Sequence, residues 1–133
     1  MTPEIAELEH VPLFSTLTHD ELEHLAVRLE VEPFDAGQVL LHEGRYGYAF
    51  YVLAEGDAEV TIAGRVVEQL HKNDYFGEMA ILGDGHRVAT VTATTAGVAW
   101  VMFGTTFREL EKDHPDIAAT INERAADRAV ADH

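Results

Sequence analysis

The sequence predicts a mainly β fold, a jelly-roll-like antiparallel β-sandwich or barrel of about eight strands with helices at both ends. Three observations predict it. The chain has 133 residues, 47% of them hydrophobic, enough apolar material for one core and too little length for two domains. Between Glu30 and Phe103, short apolar runs recur at intervals of roughly 7 to 12 residues with glycines between them, the rhythm of short antiparallel strands. Outside that interval the apolar residues return at helical spacing. The resulting plan is a single domain over residues 1–133, with N-terminal helices in 1–29, a β-roll in 30–103 and C-terminal helices in 104–133.

Each element has its own warrant. Thr18 and Glu21 have capping-box spacing, after which Leu22, Leu25, Ala26 and Leu29 share one helical face. The strand candidates are Val31 to Phe34, Val39 to Leu41, Phe50 to Leu53, Ala58 to Ile62, Val66 to Leu70, Val88 to Ala93 and Val98 to Phe103, with Trp100 and Met102 expected in the core. Gly37, Gly44, Gly47, Gly56, Gly64 and Gly97 punctuate them. Ala63-Gly64 is the expected tight hairpin, because glycine accepts the positive φ that such turns require. Further on, Thr106 and Glu109 have the spacing to cap a short helix through Phe107 and Leu110. Pro115 then opens another helix, with Ile117, Ile121 and Ala125 on one face and a polar, alanine-rich end over Ala125 to His133 that is expected to fray.

Charge and composition narrow the function. With 24 acidic against 9 basic residues, the net charge of −15 has the wrong sign for nucleic-acid backbones or anionic membranes, so neither is an expected partner. A helix-turn-helix output domain would need roughly 60 more residues. No stretch of about 18 apolar residues exists, and the start MTPEIAELEH lacks the form of a secretory leader, so a cytoplasmic location is expected. The absence of cysteine excludes disulfides, thiolate chemistry and sulfur-bound zinc.

One interval, 74–90, breaks the strand rhythm: Asp74-Tyr-Phe-Gly-Glu-Met-Ala-Ile-Leu-Gly-Asp-Gly-His-Arg-Val-Ala-Thr90. Met79 to Leu82 is too short for an ordinary helix and suits a single turn whose free N–H groups face outward, an anion site. Gly77 admits a close backbone approach, the N–H groups near Ala80 lie at the positive end, and Arg87 offers a bidentate contact to a phosphate. Glu78 would repel that phosphate unless it accepts hydrogen bonds from a neighbouring hydroxyl such as a ribose. One acceptor for sugar beside a cation and amides for phosphate describes a nucleotide whose ribose and phosphate lie close together.

This segment resembles the phosphate-binding cassette of cyclic nucleotide-binding domains, the family of the protein kinase A regulatory subunit, cyclic nucleotide-gated channels and bacterial catabolite activator proteins. Phe76-Gly77-Glu78-Met79-Ala80, six residues, then Arg87-Val88-Ala89-Thr90 agrees with the kinase-type pattern without a gap. Glu43-Gly44, Gly47, Phe50-Tyr51-Val52, Gly56 and Val60 are similar to the family's preceding strands, Val11 to Ala26 to its N-terminal helical lead, and Phe103 to Arg124 to its hinge helices. The resemblance implies that Glu78 and the Gly77 backbone hold the ribose 2′-hydroxyl, and that Arg87 with the N–H groups of Ala80 and Val88 holds the cyclic phosphate. Met79 and Ala89 belong to the same implied ligand-binding set. Three departures qualify it. Tyr48 stands where kinase-type members often carry an acidic residue that orients the arginine. Val88 stands where some cyclic GMP-selective members have threonine, and Asp116 to Arg128 offers no aromatic residue to stack on the base.

The implied function is a non-enzymatic regulatory module without a cofactor. Its ligand is expected to be cyclic AMP, with cyclic GMP as the other candidate, and its C-terminal helices are expected to signal to a separate effector protein. Two alternatives stand beside it. An interaction domain could keep the fold with a vestigial pocket. A metal-dependent jelly-roll enzyme is the other, although the eight histidines contain no His-x-His pair, and His42, His71 and His86 lie in separate turns. The carboxylates Asp74, Glu78 and Asp84 form no hydrolytic pair beyond the segment already explained.

Overall fold

The computed structural model describes residues 2–83 and 85–131, so Asp84 and the end of the expected C-terminal fray lie outside the described residues. Eight antiparallel strands form two four-stranded sheets, with no closed barrel. The strands are β1 (Glu30–Phe34), β2 (Val39–Leu41), β3 (Ala49–Glu55), β4 (Ala58–Ile62), β5 (Arg65–Leu70), β6 (Tyr75–Phe76), β7 (Thr90–Ala93) and β8 (Gly97–Phe103). One sheet has the order β1-β8-β3-β6 and the other β2-β7-β4-β5. Strands distant in sequence become neighbours, as a jelly roll requires.

The two sheets differ in burial, and their sequences show why. Strand β3 is buried on both faces. Phe50, Val52 and Ala54 point outward into a cluster with the helices, whereas Ala49 and Leu53 point between the sheets. A strand covered twice reads as a continuous apolar run. On β8, Trp100 and Met102 face the helices and Ala99 and Val101 face the sandwich interior, so both residues expected in the core are there. The second sheet has one wet face. On β4, buried Ala58 and Val60 alternate with Glu59 and Thr61, and the edge strand β5 buries only Leu70.

The helices cover the outer face of the first sheet. They are α1 (Ile5–Leu8), a 3₁₀ turn at Pro12–Phe14, α2 (His19–Ala26), a single turn α3 (Met79–Leu82), α4 (Gly104–Asp113) and α5 (Pro115–Ala131). The capping box of α2 is present: the Glu21 N–H donates to Thr18 Oγ1 at 3.2 Å and the Thr18 N–H to Glu21 Oε1 at 2.9 Å. Leu8, Phe14, Leu22, Leu25, Phe107, Leu110 and Ile121 are essentially inaccessible to solvent, each stabilising the helical layer by about 1.5 to 3 kcal/mol through burial. In the Ala63-Gly64 hairpin both residues have positive φ, 51° and 81°, matching the right-handed twist of β4 and β5.

The start of α4 corrects one expectation. Thr106 does not cap it: the helix begins at Gly104, directly after β8, with Phe103 in extended conformation at the N-cap and no side-chain cap. A tertiary bond replaces the cap, since the Gly104 N–H donates to the Tyr48 carbonyl at 2.6 Å. Pro115 does open α5.

Candidate functional site

Strand β6 delivers the 74–90 segment to its place by pairing with β3, Tyr51 opposite Phe76 and Val52 opposite Tyr75. Their side chains reinforce the pairing, with the Tyr51 and Phe76 rings stacked at 5.0 Å and an interplanar angle of 3°. At Gly77 the chain turns with φ of 81°, and a Cβ there would stand 2.9 Å from the Ala49 carbonyl, so glycine is required twice over. Glu78 is the N-cap of α3, and its side chain makes no capping bond. The turn closes through the Ala80, Ile81 and Leu82 N–H groups, which donate to the carbonyls of Gly77, Glu78 and Glu78 at 3.0, 3.0 and 2.9 Å.

After the turn, Gly85 and Arg87 bring the chain back against residues 44–47. The Gly47 N–H donates to the Gly85 carbonyl at 2.9 Å, the Arg87 N–H to the Arg45 carbonyl at 2.8 Å, and the Gly44 N–H to the Arg87 carbonyl at 2.8 Å. This two-residue alternation turns Tyr46, Tyr48, His86 and Val88 outward, where all are exposed, and leaves Gly47 facing the Arg87 side chain.

Arg87 is buried, 5% exposed, and no carboxylate forms an ion pair with it among the described residues. Its Nη2 donates to the Ala49 carbonyl at 2.8 Å and its Nη1 to the Gly77 carbonyl at 3.2 Å. Burial pulls its pKa down from the ordinary arginine value, while the Tyr51 phenol and the Glu78 carboxylate nearby push the other way. Tyr51 is affected in turn. Burial raises the phenol above its usual 10.0, the Arg87 charge opposes that shift, and Glu32 on β1 adds to it. A guanidinium remains charged under all ordinary conditions, so this corner holds a desolvated cation compensated by carbonyl dipoles and by Glu78 at a distance.

The structure therefore draws Gly77, Glu78 and Arg87 together, and the rest of the implied ligand set differs in what it presents. Ala89 is half-buried and packs against the interior between the sheets. Met79 folds back over its own turn, its Sδ-methyl 2.6 Å from where a Cβ on Gly83 would lie. Val88 is 63% exposed, and its N–H has no backbone acceptor among the described residues. The Ala80 N–H, by contrast, is already used by the Gly77 carbonyl.

Sequence reasoning missed three contributors. Gly47 gives the guanidinium room, the Ala49 carbonyl anchors it, and Tyr51 lies beside it. Only the glycine between two tyrosines, at 46–48, hinted at a side chain that must be absent. Two concavities of about 340 and 310 Å³ lie elsewhere, under α1, with Glu7 and Trp100 lining both. Neither includes a cassette residue or a buried cation, so the cassette is the better candidate for an anionic ligand. Among the described residues no group of three or more His, Asp or Glu side chains could hold a metal, so the metal-enzyme alternative gains no support.

Comparison with known proteins bears on the family and the fold. A sequence model described as the cyclic nucleotide-binding domain matches residues 31–114. The cAMP-dependent protein kinase regulatory subunit of Eremothecium gossypii is 46% identical over 89 residues, 66% of this chain and 19% of that protein. The regulatory subunit of Schizosaccharomyces pombe is 39% identical over 89 residues, 66% of this chain and 22% of that protein. The chain thus spans about a fifth of the length of these curated relatives. Among solved structures, the N-terminal domain of a transcriptional regulator from Streptomyces coelicolor superposes with a TM-score of 0.77 at 25% identity, covering 95% of this chain and 90% of that one. The Thermus thermophilus catabolite activator protein gives 0.79 at 24% identity, covering 90% of this chain and 59% of that one, a likeness of fold.

Proposed function

The chain belongs to the cyclic nucleotide-binding domain family, and from that premise we propose that it is a non-catalytic sensor that binds cyclic AMP in preference to cyclic GMP and passes the signal to a separate effector protein. Arg87 is the strongest support. A guanidinium this desolvated, with carbonyls as its hydrogen-bond partners and no ion pair among the described residues, gains most from an anion that brings its own charge. A cyclic phosphate carries one negative charge and suits a corner with one cation. Glu78, held close by and without a capping role, is the acceptor for the ribose 2′-hydroxyl. The remaining assignments are Gly77 backbone to ribose, the Ala80 and Val88 N–H groups to phosphate, and Met79 and Ala89 to the surrounding wall. For Ala80 this requires its bond to the Gly77 carbonyl to open on binding. Val88 cannot accept a hydrogen bond from a guanine amino group, which favours cyclic AMP.

Signalling through the C-terminal helices has a structural route. α5 packs against both α3 and α4, and the Tyr75 hydroxyl, one residue before Phe76, donates to the Arg124 carbonyl on α5 at 3.3 Å. Gly104 at the start of α4 is bonded to Tyr48, beside Gly47. A ligand that tightens the cassette therefore pulls on the contacts that seat both helices, and it shifts them only if it binds one arrangement better than the other. Amide exchange should change across Asp74 to Thr90 and also across Phe103 to Arg124 when nucleotide is added. A change confined to the first segment removes the helices from the mechanism.

Two observations favour the alternative of a vestigial pocket: Tyr48 in place of an acidic residue, and the Ala80 N–H closed onto Gly77. A thermal-shift screen with cyclic AMP, cyclic GMP and divalent metals separates the readings. A ligand selective for the folded state raises its stability by about 2.7 kcal/mol at a concentration about 100 times Kd. A shift with cyclic AMP supports the sensor, none with either nucleotide supports the vestigial pocket, and a shift with metal alone would revive the enzyme.

A further inference from the structure

We infer that His24 and His114 form a proton-sensitive clasp that fastens the elbow between α4 and α5 to α2. Their imidazole rings stack with centroids 4.0 Å apart and planes inclined by 30°. His24 lies in the last turn of α2, and His114 is the junction residue between α4 and α5. The backbone of His114 leaves the helical region, with φ of −140° and ψ of 70°. Its N–H closes α4 on the Leu110 carbonyl at 2.7 Å, and its carbonyl opens α5 by accepting from Ile117 at 3.1 Å and Ala118 at 3.2 Å. Moving this ring moves the point where the two helices join.

Arg28 strengthens the same clasp from α2's end. Its Nη1 donates to the His24 carbonyl at 2.7 Å, and its Nη2 lies 3.6 Å from the Asp113 carboxylate on α4. While the imidazoles are neutral, the stack is a contact between two aromatic rings. Imidazole is the side chain that gains charge as pH falls from about 8 to 5. With both rings charged, two cations meet at ring contact beside the Arg28 guanidinium, whose contact with Asp113 is the one ion pair between the end of α2 and α4 among the described residues. The other charged residues of these elements are His19, Asp20, Glu21 and Glu23 on α2, Arg108, Glu109, Glu111 and Lys112 on α4, and Asp116, Glu123 and Arg124 among the earlier residues of α5. Glu21 is held in the capping box and Glu23 by His19, and no ion pair among the described residues joins any of them to either imidazole. Acidification therefore weakens the clasp. Since α5 also packs against the α3 turn, a freed elbow changes what covers the cassette.

The clasp does not depend on nucleotide binding, so its test uses the protein alone and leaves the sensor reading untouched. Exchange of the His114, Ile117 and Ala118 amides is followed at about pH 7.5 and about pH 5.5, corrected for the intrinsic pH dependence of exchange. The proteins are the natural chain and the variants His24→Phe and His114→Phe, whose phenyl ring keeps a stacking partner that cannot be charged. Protection of these amides should fall at least about threefold at the lower pH in the natural chain and stay constant in both variants. Protection independent of pH in the natural chain, or the same fall in either variant, overturns the inference.

Discussion

The Arg87 guanidinium lies directly over Gly47: a Cβ on that residue would stand 2.5 Å from Nε, 2.6 Å from Nη2 and 2.9 Å from Cζ. The two residues are 40 apart in sequence, and the backbone pairing of 44–47 with 85–87 brings them together. Tyr48 stands where the resemblance to kinase-type members leads one to expect an acidic residue that orients this arginine. Here the missing side chain of Gly47 and the carbonyls of Ala49 and Gly77 do the aiming.

Gly47→Ala tests that arrangement. Gly47 does not have a positive φ, so alanine fits the backbone and the nearest clash is with the guanidinium. Cyclic nucleotide affinity should fall by about 1.5 to 3 kcal/mol, one charge-assisted bond's worth. In an Arg87→Leu background the same change should be silent in binding, because the coupled partner is gone. Calorimetric titration of the four proteins of this cycle gives the coupling directly. An equal loss in both backgrounds would mean that Gly47 acts through the fold rather than through Arg87.

Glu78→Gln should weaken cyclic AMP binding by about 1 to 3 kcal/mol, since the amide oxygen still accepts one bond from the ribose. The 2′-deoxy nucleotide should lose a similar amount against the natural chain and little further against the variant. If 2′-deoxy cyclic AMP bound the natural chain as tightly as the parent, Glu78 would have another role.

Val88→Thr should narrow the preference for cyclic AMP over cyclic GMP by about 1 kcal/mol, through a hydroxyl offered to the guanine amino group. The side chain is 63% exposed, so the substitution needs no repacking. Competition binding with the two nucleotides measures it. An unchanged ratio would place discrimination elsewhere.

The pH dependence of one surface pair has a definite sign. His71 Nδ1 lies 2.9 Å from Asp57 Oδ1, and that hydrogen bond is the main reason its pKa rises above the ordinary 6.5, with the Asp57 and Asp74 charges adding to it. A raised folded-state pKa means that the stabilisation is fully present below the unfolded value of 6.5 and is lost as pH rises through the folded value. Both groups are exposed, so the effect on stability is small. The His71 ring resonances should titrate with a midpoint above that of an exposed histidine, and Asp57→Asn should bring it down. A midpoint unmoved by that substitution would rule out the pair as the cause.

What the sequence disclosed follows the range of the interactions involved. Strands β1, β2 and β4 were legible as short apolar runs punctuated by glycines, and the capping box of α2 because both partners lie within one turn. Strand β6 was not, since two residues carry no period and Tyr75-Phe76 becomes a strand only by pairing with β3. The start of α4 was misplaced for a similar reason, its first N–H being met by Tyr48, the residue before β3. Within the cassette, the turn at Met79 to Leu82 and the roles open to Gly77, Glu78 and Arg87 could be read from residue types. The contacts that hold Arg87 are backbone carbonyls, and no residue type announces which carbonyl will be free to accept.

The most direct test is a calorimetric titration of cyclic AMP into the natural chain beside Arg87→Leu. A ligand of about 22 heavy atoms at about 0.3 to 0.5 kcal/mol each should bind with Kd between about micromolar and tens of nanomolar. Arg87→Leu should lose about 2 to 5 kcal/mol of that binding. The fold should survive at a cost of about 1 kcal/mol for each carbonyl left without its bond, at Ala49 and Gly77, which a thermal melt of the variant checks. No heat and no thermal shift with the natural chain at millimolar cyclic AMP, or equal affinity in a folded Arg87→Leu variant, would contradict the assignment of this buried arginine to a cyclic phosphate.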